Sequence, residues 1–450
     1  MTRSTDVETI AAAAGGFTEA SFEQFLMERD EPPWLTRRRR EAFARYQSFS
    51  WPSARDEEWR RTDIRALKLD TFAPPSNVPL VPDPADRASL DRLQESLRSH
   101  YATGTVHING AADQEADPAK LGGAVFMDLD RAVKECPELL EKYLLTEAVK
   151  PSDDLFAALH AAFWKGGVLL YVPRGTTLEA PLFSLMGLAG AGNVDLSHTL
   201  VILEEGAEAT LVRETASGGR GELPGLHVGA LEVLQAPGSR FRLVNLQNWD
   251  SLTWHFSRER AIVGRDATLQ WTVGGLGSRL AKVNQEVALA GPGARAQVNG
   301  VLFTSGRQHL AYFTRQDHLA PHTTSDLLYK GGLKDRSRIV WRGMIRVEKN
   351  AQRTDAYQKN DNLLLSDSAR ADSIPGLEIE ANDVRCTHGA TAGRVDEEMV
   401  FYAQARGIPR EVAVRLIVEG FFANVYDRIT IEPVRETLQK AVAAKLGGSD

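Results

Sequence analysis

A short unit recurs from about residue 165 onward, and it constrains the fold more than any other feature of the sequence. Each copy has a few β-prone residues, a turn at Gly or Asp, and a strand in which small and apolar residues alternate. The turn residues are 27 to 32 residues apart, at Gly175, Gly206, Gly238, Asp266 and Gly293. The sequence between copies has no amphipathic helical pattern, which excludes βαβ units. Such a repeat favours a stacked β-helix or β-solenoid, with a β-sandwich as the alternative.

The segments on either side of the repeat are predicted to be helical, and the chain divides into four regions. Residues 1–95 carry apolar residues at helical spacing and include a proline-rich linker at residues 71–90. Residues 96–164 are predicted to be a mixed α/β region that leads into the core, and residues 165–395 are the core itself. Helical patterns return in residues 396–450. Because a stack of strands has exposed edges at its ends, flanking helices that cover them are expected.

Composition and charge exclude several classes of function. The net charge of −7 argues against a nucleic-acid partner, and the basic run at residues 37–40 has enough acids nearby to predict a solvated helix face. The longest apolar runs are too short for a membrane span, and the first residues lack the apolar stretch of a secretory signal. Two cysteines far apart in the sequence fit a reducing cytoplasm better than a disulfide framework.

Cys386 and His388 are the first candidates for chemistry. If their segment is a strand, residues two apart point to the same face, so a thiol and an imidazole stand side by side. These groups suit zinc, iron or an iron–sulfur cluster. No second Cys or His pair at ligand spacing lies nearby in the sequence, so a metal would need ligands from elsewhere or from a partner. A Cys–His nucleophile with its base, and two residues with no shared task, remain open alternatives.

Two further kinds of site leave weaker traces in the sequence. There is neither a G-x-x-x-x-G-K-[ST] pattern nor G-x-G-x-x-G after a strand, so any ATP is expected to be used by another protein. Acidic residues recur near the last repeats, where they could line the groove of a β-helix carbohydrate-active enzyme or simply serve in turns and caps. These acids are Asp355, Asp361, Asp367 and Asp372.

A helix is predicted at residues 409–428, with Pro409 near its first position. Its apolar residues form more than one stripe. One face can pack on the rest of the chain. The surplus predicts either deeper burial or a docking surface for another protein.

Two long segments resemble a known family. Residues 325–408, which end in "DVRCTHGATAGRVDEEMVFYAQARGI", and residues 154–182, "DLFAALHAAFWKGGVLLYVPRGTTLEAPL", are similar to the shared motifs of SufB and SufD, the scaffold subunits of Suf iron–sulfur cluster assembly. The resemblance implies a mainly β protein, with a right-handed parallel β-helix core and N- and C-terminal helical domains. The segment "SARDEEWRRTDI" resembles the SufD branch, as does Gly389, where SufB tends to have an acid. A SufB-like subunit is the alternative.

The resemblance implies a non-catalytic subunit of an ATP-driven SufBCD complex in the cytoplasm. It implies pairing with a SufB-like paralogue through the β-helix end, where His388 and Cys386 would meet iron or a nascent iron–sulfur cluster together with partner residues. The isolated chain is expected to hold no tightly bound cofactor, and two copies can pair when the partner is absent. A SufC-like ATPase is expected to dock on the C-terminal helix. The residues predicted for that docking are Glu411, Arg415, Glu419, Phe421, Phe422 and Tyr426.

Overall fold

The computed structural model describes residues 15–76, 82–190, 192–219 and 223–447. Over these residues the chain is mainly β, and its strands stack as a parallel β-solenoid of about eight turns with helices before and after it. Each turn adds one strand to each of two sheets. The β-helix prediction is confirmed, and the alternative of a β-sandwich is wrong because sandwich sheets are antiparallel.

Twenty strands lie in the described part of the chain. Their bounds are β1 (Thr103–Ile108), β2 (Ala111–Gln114), β3 (Val125–Asp128), β4 (Gly167–Val172), β5 (Leu182–Leu188), β6 (Val194–Asp195), β7 (His198–Leu203), β8 (Glu208–Ser217), β9 (Leu226–Gln235), β10 (Arg240–Asn248), β11 (Trp254–Val263), β12 (Thr268–Gly275), β13 (Leu280–Leu289), β14 (Arg295–Thr304), β15 (His309–His318), β16 (Thr324–Leu333), β17 (Arg338–Val347), β18 (Asp355–Leu364), β19 (Arg370–Ile379) and β20 (Arg385–Arg394).

The strands form two long sheets. Sheet A has the order β2-β1-β5-β8-β10-β12-β14-β16-β18-β20. Sheet B has the order β19-β17-β15-β13-β11-β9-β7-β4-β3, with β6 also paired to β9. Neighbouring strands are parallel, apart from the antiparallel pairs β1–β2 and β3–β4 at the start of the stack.

Helices flank the solenoid. Within the described ranges they are α1 (Glu19–Met27), α2 (Pro33–Ser48), α3 (Pro84–His100), α4 (Leu129–Glu135), α5 (Pro137–Tyr143), α6 (Leu155–Phe163), α7 (Glu397–Gln404), α8 (Arg410–Tyr426) and α9 (Glu432–Leu446). Helix α3 begins inside the proline-rich stretch predicted to be a linker. It begins there because Asp83 Oδ1 caps it by accepting from the backbone N–H of Ala85 and Asp86.

The turns of the solenoid are where the sequence predicts them. The five predicted turn residues all have positive φ, between 54° and 76°. A side chain is strained in this left-handed region, which is why four of the five are glycine and the fifth is aspartate. They are Gly175, Gly206, Gly238, Asp266 and Gly293.

Side chains alternate along each strand between the inside of the solenoid and its outer faces. On β10, Phe241 and Leu243 belong to the central core, whereas Val244 and Leu246 pack outward against the C-terminal helices. The same alternation stacks like positions on top of one another, so one core cluster runs through most of the solenoid and a smaller one, which includes Ile345 and Val347, fills its end.

Polar side chains also lie inside the solenoid. Arg213 Nη1 donates to Asn245 Oδ1 at 2.9 Å, and Asn245 Nδ2 donates to Glu259 Oε1 at 2.7 Å. Burial lowers the pKa of Arg213 and raises the pKa of Glu259, since both charges have left water. Polar positions on a strand are therefore no guide to its outer face in this chain.

Arg39 departs from the expectation that residues 37–40 form a solvated helix face. Its side chain is fully buried and pairs with Glu31, with 2.8 Å between Nε and Oε2. Its Nη1 donates to the carbonyl oxygens of Ala162 and Trp164 at 3.1 and 3.0 Å. The prediction is wrong at Arg39 because the fold supplies a carboxylate and carbonyl acceptors that a single helix does not show.

The C-terminal helices lie on the outer face of sheet A. Phe422 and Val425 of α8 and Leu438 of α9 are fully buried there, against side chains that include Val301 and Phe303 of β14. In the described ranges, no helix is both long and apolar enough to cross a membrane.

Candidate functional site

The solenoid has an open end. Strand β20 pairs with β18 on one side, strand β19 pairs with β17 on one side, and in the described chain neither pairs with a strand on its other side. Their remaining backbone N–H and C=O groups form two adjacent unpaired edges. Edges of this kind are templates for pairing with another chain unless something covers them.

Apolar side chains are exposed at this end. Leu377 and Ile379 of β19 lie in register with Ile345 and Val347 of β17, which are fully buried. The end residues therefore continue the core, but they keep 37% and 39% of their surface exposed because no further turn covers them. This end of the solenoid is called the open end below.

Cys386 and His388 lie on β20 at the open end. The register of β20 with β18 is continuous, and it places Cys386 beside Ala356 and His388 beside Gln358. Ala356 and Gln358 are buried, so the two candidate side chains lie on the inward face of the last strand. The segment is a strand, as predicted, and Cys386 is half-buried while His388 is exposed.

The Cys386 thiol is in its neutral form at neutral pH. Burial is the main cause of its raised pKa, and the nearby Asp355 carboxylate raises it further. The thiol packs beside a small apolar cluster that includes Val347 and Ala356. Because a thiolate is the form that binds metal or accepts sulfur, Cys386 must lose a proton before it can act as a ligand.

Gln358 belongs to the layer directly below the two candidates, and the sequence pattern did not point to it. Its Nε2 atom donates to the carbonyl oxygen of Gly376 at 3.0 Å, across the interior from sheet A to sheet B. Its Oε1 atom is buried and has no hydrogen-bond partner in the described chain. This oxygen lies against Gly343 of β17, one turn further into the solenoid, so Gln358 fixes the layer below His388 and does not face the open end.

In this chain Cys386 and His388 offer two metal ligands, which do not make a complete coordination sphere. Across the described residues there is no group of three or more His, Cys, Asp or Glu side chains arranged to hold a metal ion. A full coordination sphere at the open end would take its remaining ligands from another chain or from the bound species itself.

The four acids near the last repeats do not converge on a groove. Asp361 lies on the outer side of sheet A, with Lys359 Nζ at 3.0 Å and the Thr391 hydroxyl at 2.7 Å. Asp372 lies on the outer side of sheet B and pairs with Arg338. Asp367 is exposed with Arg394 at 2.8 Å, and Asp355 is exposed at the start of β18. Since these acids face different directions, nothing here supports the carbohydrate-active site.

The structure divides the predicted docking residues of α8 into two groups. Phe422 and Tyr426 are buried against sheet A, so they hold the helix in place and cannot contact a partner directly. Phe421 is half-buried, and Arg415 faces Glu419 at 3.9 Å on the surface. Glu411 is exposed near the start of the helix.

A second set of exposed side chains in this region was missed from the sequence. Met399, Phe401 and Tyr402 of α7 are exposed by 58%, 73% and 59%, and Leu416 of α8 by 49%. An ion pair between Glu397 and Arg410 joins the two helices. Exposed apolar surface marks interaction sites where it is contiguous, and these side chains are the large apolar groups that the described C-terminal helices leave uncovered. These four residues are called the C-terminal apolar patch.

Comparison with known proteins identifies the family. A model of the SufBD core domain, described as Suf-system iron–sulfur cluster assembly, matches residues 186–421, and a model of the SufBD N-terminal region matches residues 20–183. SufB of Bacillus subtilis is 26% identical over 96% of this chain and 94% of its own length, and SufD of the same organism is 27% identical over 94% and 96%. A SufBD family protein of Mycobacterium tuberculosis is 33% identical over 67% of this chain and 76% of its own length. The chain therefore belongs to the SufB/SufD family of iron–sulfur cluster assembly proteins.

Proposed function

We propose that this chain is a SufD-like scaffold subunit that pairs with a SufB-like paralogue through the open end and is driven by a SufC-like ATPase bound to its C-terminal helices. The observation that carries the proposal is the open end itself. Two soft donors, Cys386 and His388, lie beside exposed apolar side chains and two unpaired strand edges. The chain has no catalytic step of its own in this proposal, and the cluster is cargo.

The SufD assignment depends on two sequence features, the segment "SARDEEWRRTDI" and Gly389. Relatives named SufB and SufD are almost equally similar to the chain, at 26% and 27% identity, so overall similarity does not choose between them. Gly389, directly after His388, favours SufD because the SufB motif tends to have an acid there. An acid at this point would lie on the outward face of β20, beside Lys359, and not on the face of Cys386 and His388. In this proposal the partner supplies the remaining ligands.

The two donors have different tasks. His388 offers an exposed imidazole to iron or to the nascent cluster. Cys386 joins as a ligand once iron, or a cation on the partner, makes loss of its proton favourable. The cargo is then enclosed between this wall and the wall of the partner.

Helix α8 connects the ATPase to the site. Phe422 fixes the helix to sheet A, and sheet A ends at the strand that carries His388. A partner that holds the C-terminal apolar patch and moves on ATP binding would pull on a rigid element of the same sheet. The cytoplasm is the compartment that fits two free, half-buried cysteines.

A reconstitution with matched variants tests the proposal. The tagged chain is purified anaerobically with the SufB-like and SufC-like proteins of its own genome. Leu377→Glu is expected to lose the SufB-like protein and keep the ATPase, since it places a charge in the apolar open end. Leu416→Glu is expected to lose the ATPase and keep the paralogue. Leu319→Glu is the control. Leu319 lies in a turn elsewhere and is 39% exposed, close to the 37% of Leu377, so this variant is expected to keep both proteins.

The same variants test whether two copies of the chain form a homodimer through the open end. If two copies of the chain pair through the open end, Leu377→Glu gives a monomer and Leu319→Glu does not. Capture of neither protein by the unmodified chain at native expression would overturn the proposal and leave the family membership without this role.

A further inference from the structure

A groove of about 740 Å³ lies far along the chain from the open end, between α2 and residues 144–152. This volume is in the range of sites that bind small organic molecules. Its lining is mostly apolar. The apolar lining residues that keep exposed surface are Ala44, Leu145 and Pro151, and behind them lie buried residues that include Leu35, Ala42 and Trp164.

The charged part of the lining is mainly cationic. Arg45 and Lys150 line the groove, are exposed, and have side chains without an ion pair or hydrogen bond among the described residues. Arg38 also lines it, but its guanidinium already donates to the carbonyl oxygens of Leu144 and Glu141. Glu41 is the one carboxylate in the lining. Two free cations against one acid favour an anionic ligand.

One wall of the groove is held in a strained conformation. Leu145 has a φ of 53°, which is rare for a branched side chain. The buried Glu232 holds it there. Its Oε2 atom accepts from the backbone N–H of Leu145 at 2.8 Å, and its Oε1 atom accepts from the N–H of Val149 at 2.9 Å. Strain of this kind is retained most often at ligand-binding segments.

Two buried histidines extend this arrangement. Burial holds the pKa of His160 well below its ordinary value, so the ring is neutral. Its Nδ1–H donates to the carbonyl oxygen of Val228 at 2.8 Å, and its Nε2 atom therefore accepts from His198 Nδ1 at 3.0 Å. His198 Nε2 lies 3.1 Å from Glu232 Oε2, an ion-pair distance without hydrogen-bond geometry. The open-end site uses none of these residues.

The floor of the groove is fixed as well. The Arg39 guanidinium lies 4.4 Å from the Trp164 ring centroid and also donates to the Trp164 carbonyl oxygen. Both residues are fully buried. A site whose wall and floor are already ordered loses little conformational entropy when a ligand enters.

We propose that this groove binds a small amphipathic organic anion. Its apolar body lies on Ala44, Leu145 and Pro151, the apolar lining residues that keep exposed surface, and its acid group lies between Arg45 and Lys150. The site is separate from the proposed scaffold role and holds whether or not that role is correct.

Two dyes with the same aromatic rings test the proposal. Anilinonaphthalene sulfonate carries an acid group, and phenylnaphthylamine does not. Fluorescence titration of the full chain is expected to show one saturable site for each. The double variant R45E/K150E is expected to weaken the sulfonate about tenfold, or ~1.4 kcal/mol, and to leave the neutral dye within about twofold. Ala44→Trp, which fills the groove from an exposed position on α2, is expected to weaken both dyes.

Two control variants distinguish dye binding in the groove from general effects of charge and of exposed apolar surface. Arg37→Glu changes the charge of the same helix outside the groove and is expected to leave both dyes unchanged, as is Phe401→Ser in the C-terminal apolar patch. Hydrogen exchange is expected to slow in residues 144–152 when the sulfonate binds. Equal loss of sulfonate binding in Arg37→Glu, unchanged binding in Ala44→Trp, or protection elsewhere without protection of residues 144–152 would each overturn the proposal.

Discussion

His388 lies beside Gln358 in the parallel register of β20 and β18, so an exposed imidazole stands above a buried amide whose Oε1 atom has no hydrogen-bond partner in the part of the chain described. An exposed residue of the last strand of sheet A thus lies next to a buried residue of the strand before it. Gln358 is tied to Gly376 of the opposite sheet, and its Oε1 atom lies against Gly343, one turn further into the solenoid.

His388→Ala is expected to impair cluster assembly and leave the fold intact. The side chain is exposed, so its removal should change the free energy of unfolding by no more than about 0.5 kcal/mol. The measurement is the activity of iron–sulfur enzymes in cells whose only copy of this protein is the variant, together with its thermal midpoint in vitro.

Thr387→Ala is the control for that variant. Thr387 is the adjacent residue on the same strand, exposed as well, and it points to the opposite face. We expect normal enzyme activity for it. Normal activity in His388→Ala as well would mean that the imidazole has no part in the site.

Asp355→Asn is expected to make Cys386 more reactive. The Asp355 carboxylate contributes to the raised pKa of the thiol, so its loss favours the thiolate and should move the pH midpoint of alkylation downward. The rate of reaction with iodoacetamide is measured in a Cys136→Ser background, which leaves one thiol. Asp367→Asn, an exposed acid paired with Arg394, is the control. An unchanged midpoint in Asp355→Asn would contradict the environment described for Cys386.

The repeat could be predicted because its turns impose a chemical requirement. A left-handed backbone at each corner selects glycine or aspartate, and that selection is visible in the sequence at positions such as Gly206 and Asp266. The placement of Cys386 and His388 on one face followed from strand geometry alone once the segment was taken as a strand. Both inferences depend on local backbone geometry, which a sequence records directly.

The remaining features depend on long-range packing. Leu377 and Ile379 have the sequence pattern of any core strand, and only their position in the last turn exposes them. Arg39 is buried because Glu31 and two carbonyl groups of a distant segment meet it. Gln358 is identified only by strand register. None of these relations is local, so no periodicity in the sequence reports them.

Acidification is expected to destabilise the chain through His318. Burial lowers the pKa of this side chain to about 4, and its two nitrogens contact the hydroxyls of Thr323 and Ser325 at 2.7 and 2.9 Å. The unfolded chain titrates near 6.5 and so binds more protons than the folded chain as the pH falls below that value. The neutral His318 side chain therefore makes its full contribution to the free energy of unfolding above pH 6.5. That contribution, about 3 kcal/mol in total, is lost as the pH falls toward 4.

The urea midpoint as a function of pH measures that loss. His318→Gln keeps a side chain that can bond the same hydroxyls but cannot gain a charge, so its midpoint is expected to fall less between neutral pH and pH 4. His309, whose pKa burial also lowers to about 4, is present in both proteins and cancels in the comparison. The same pH dependence in both proteins would show that His318 does not titrate as described.

Phe422→Ala tests whether α8 is a structural element that can transmit force. The ring is fully buried against sheet A, so its removal is expected to cost about 3–5 kcal/mol of the free energy of unfolding measured in urea. Leu416→Ala, on the exposed side of the same helix, is expected to change it by no more than about 0.5 kcal/mol. If both variants behave alike, the two faces of the helix are equivalent and α8 cannot couple a bound partner to the solenoid. If they differ as expected, a partner can hold the outer face without disturbing the contacts that join the helix to the sheet of His388.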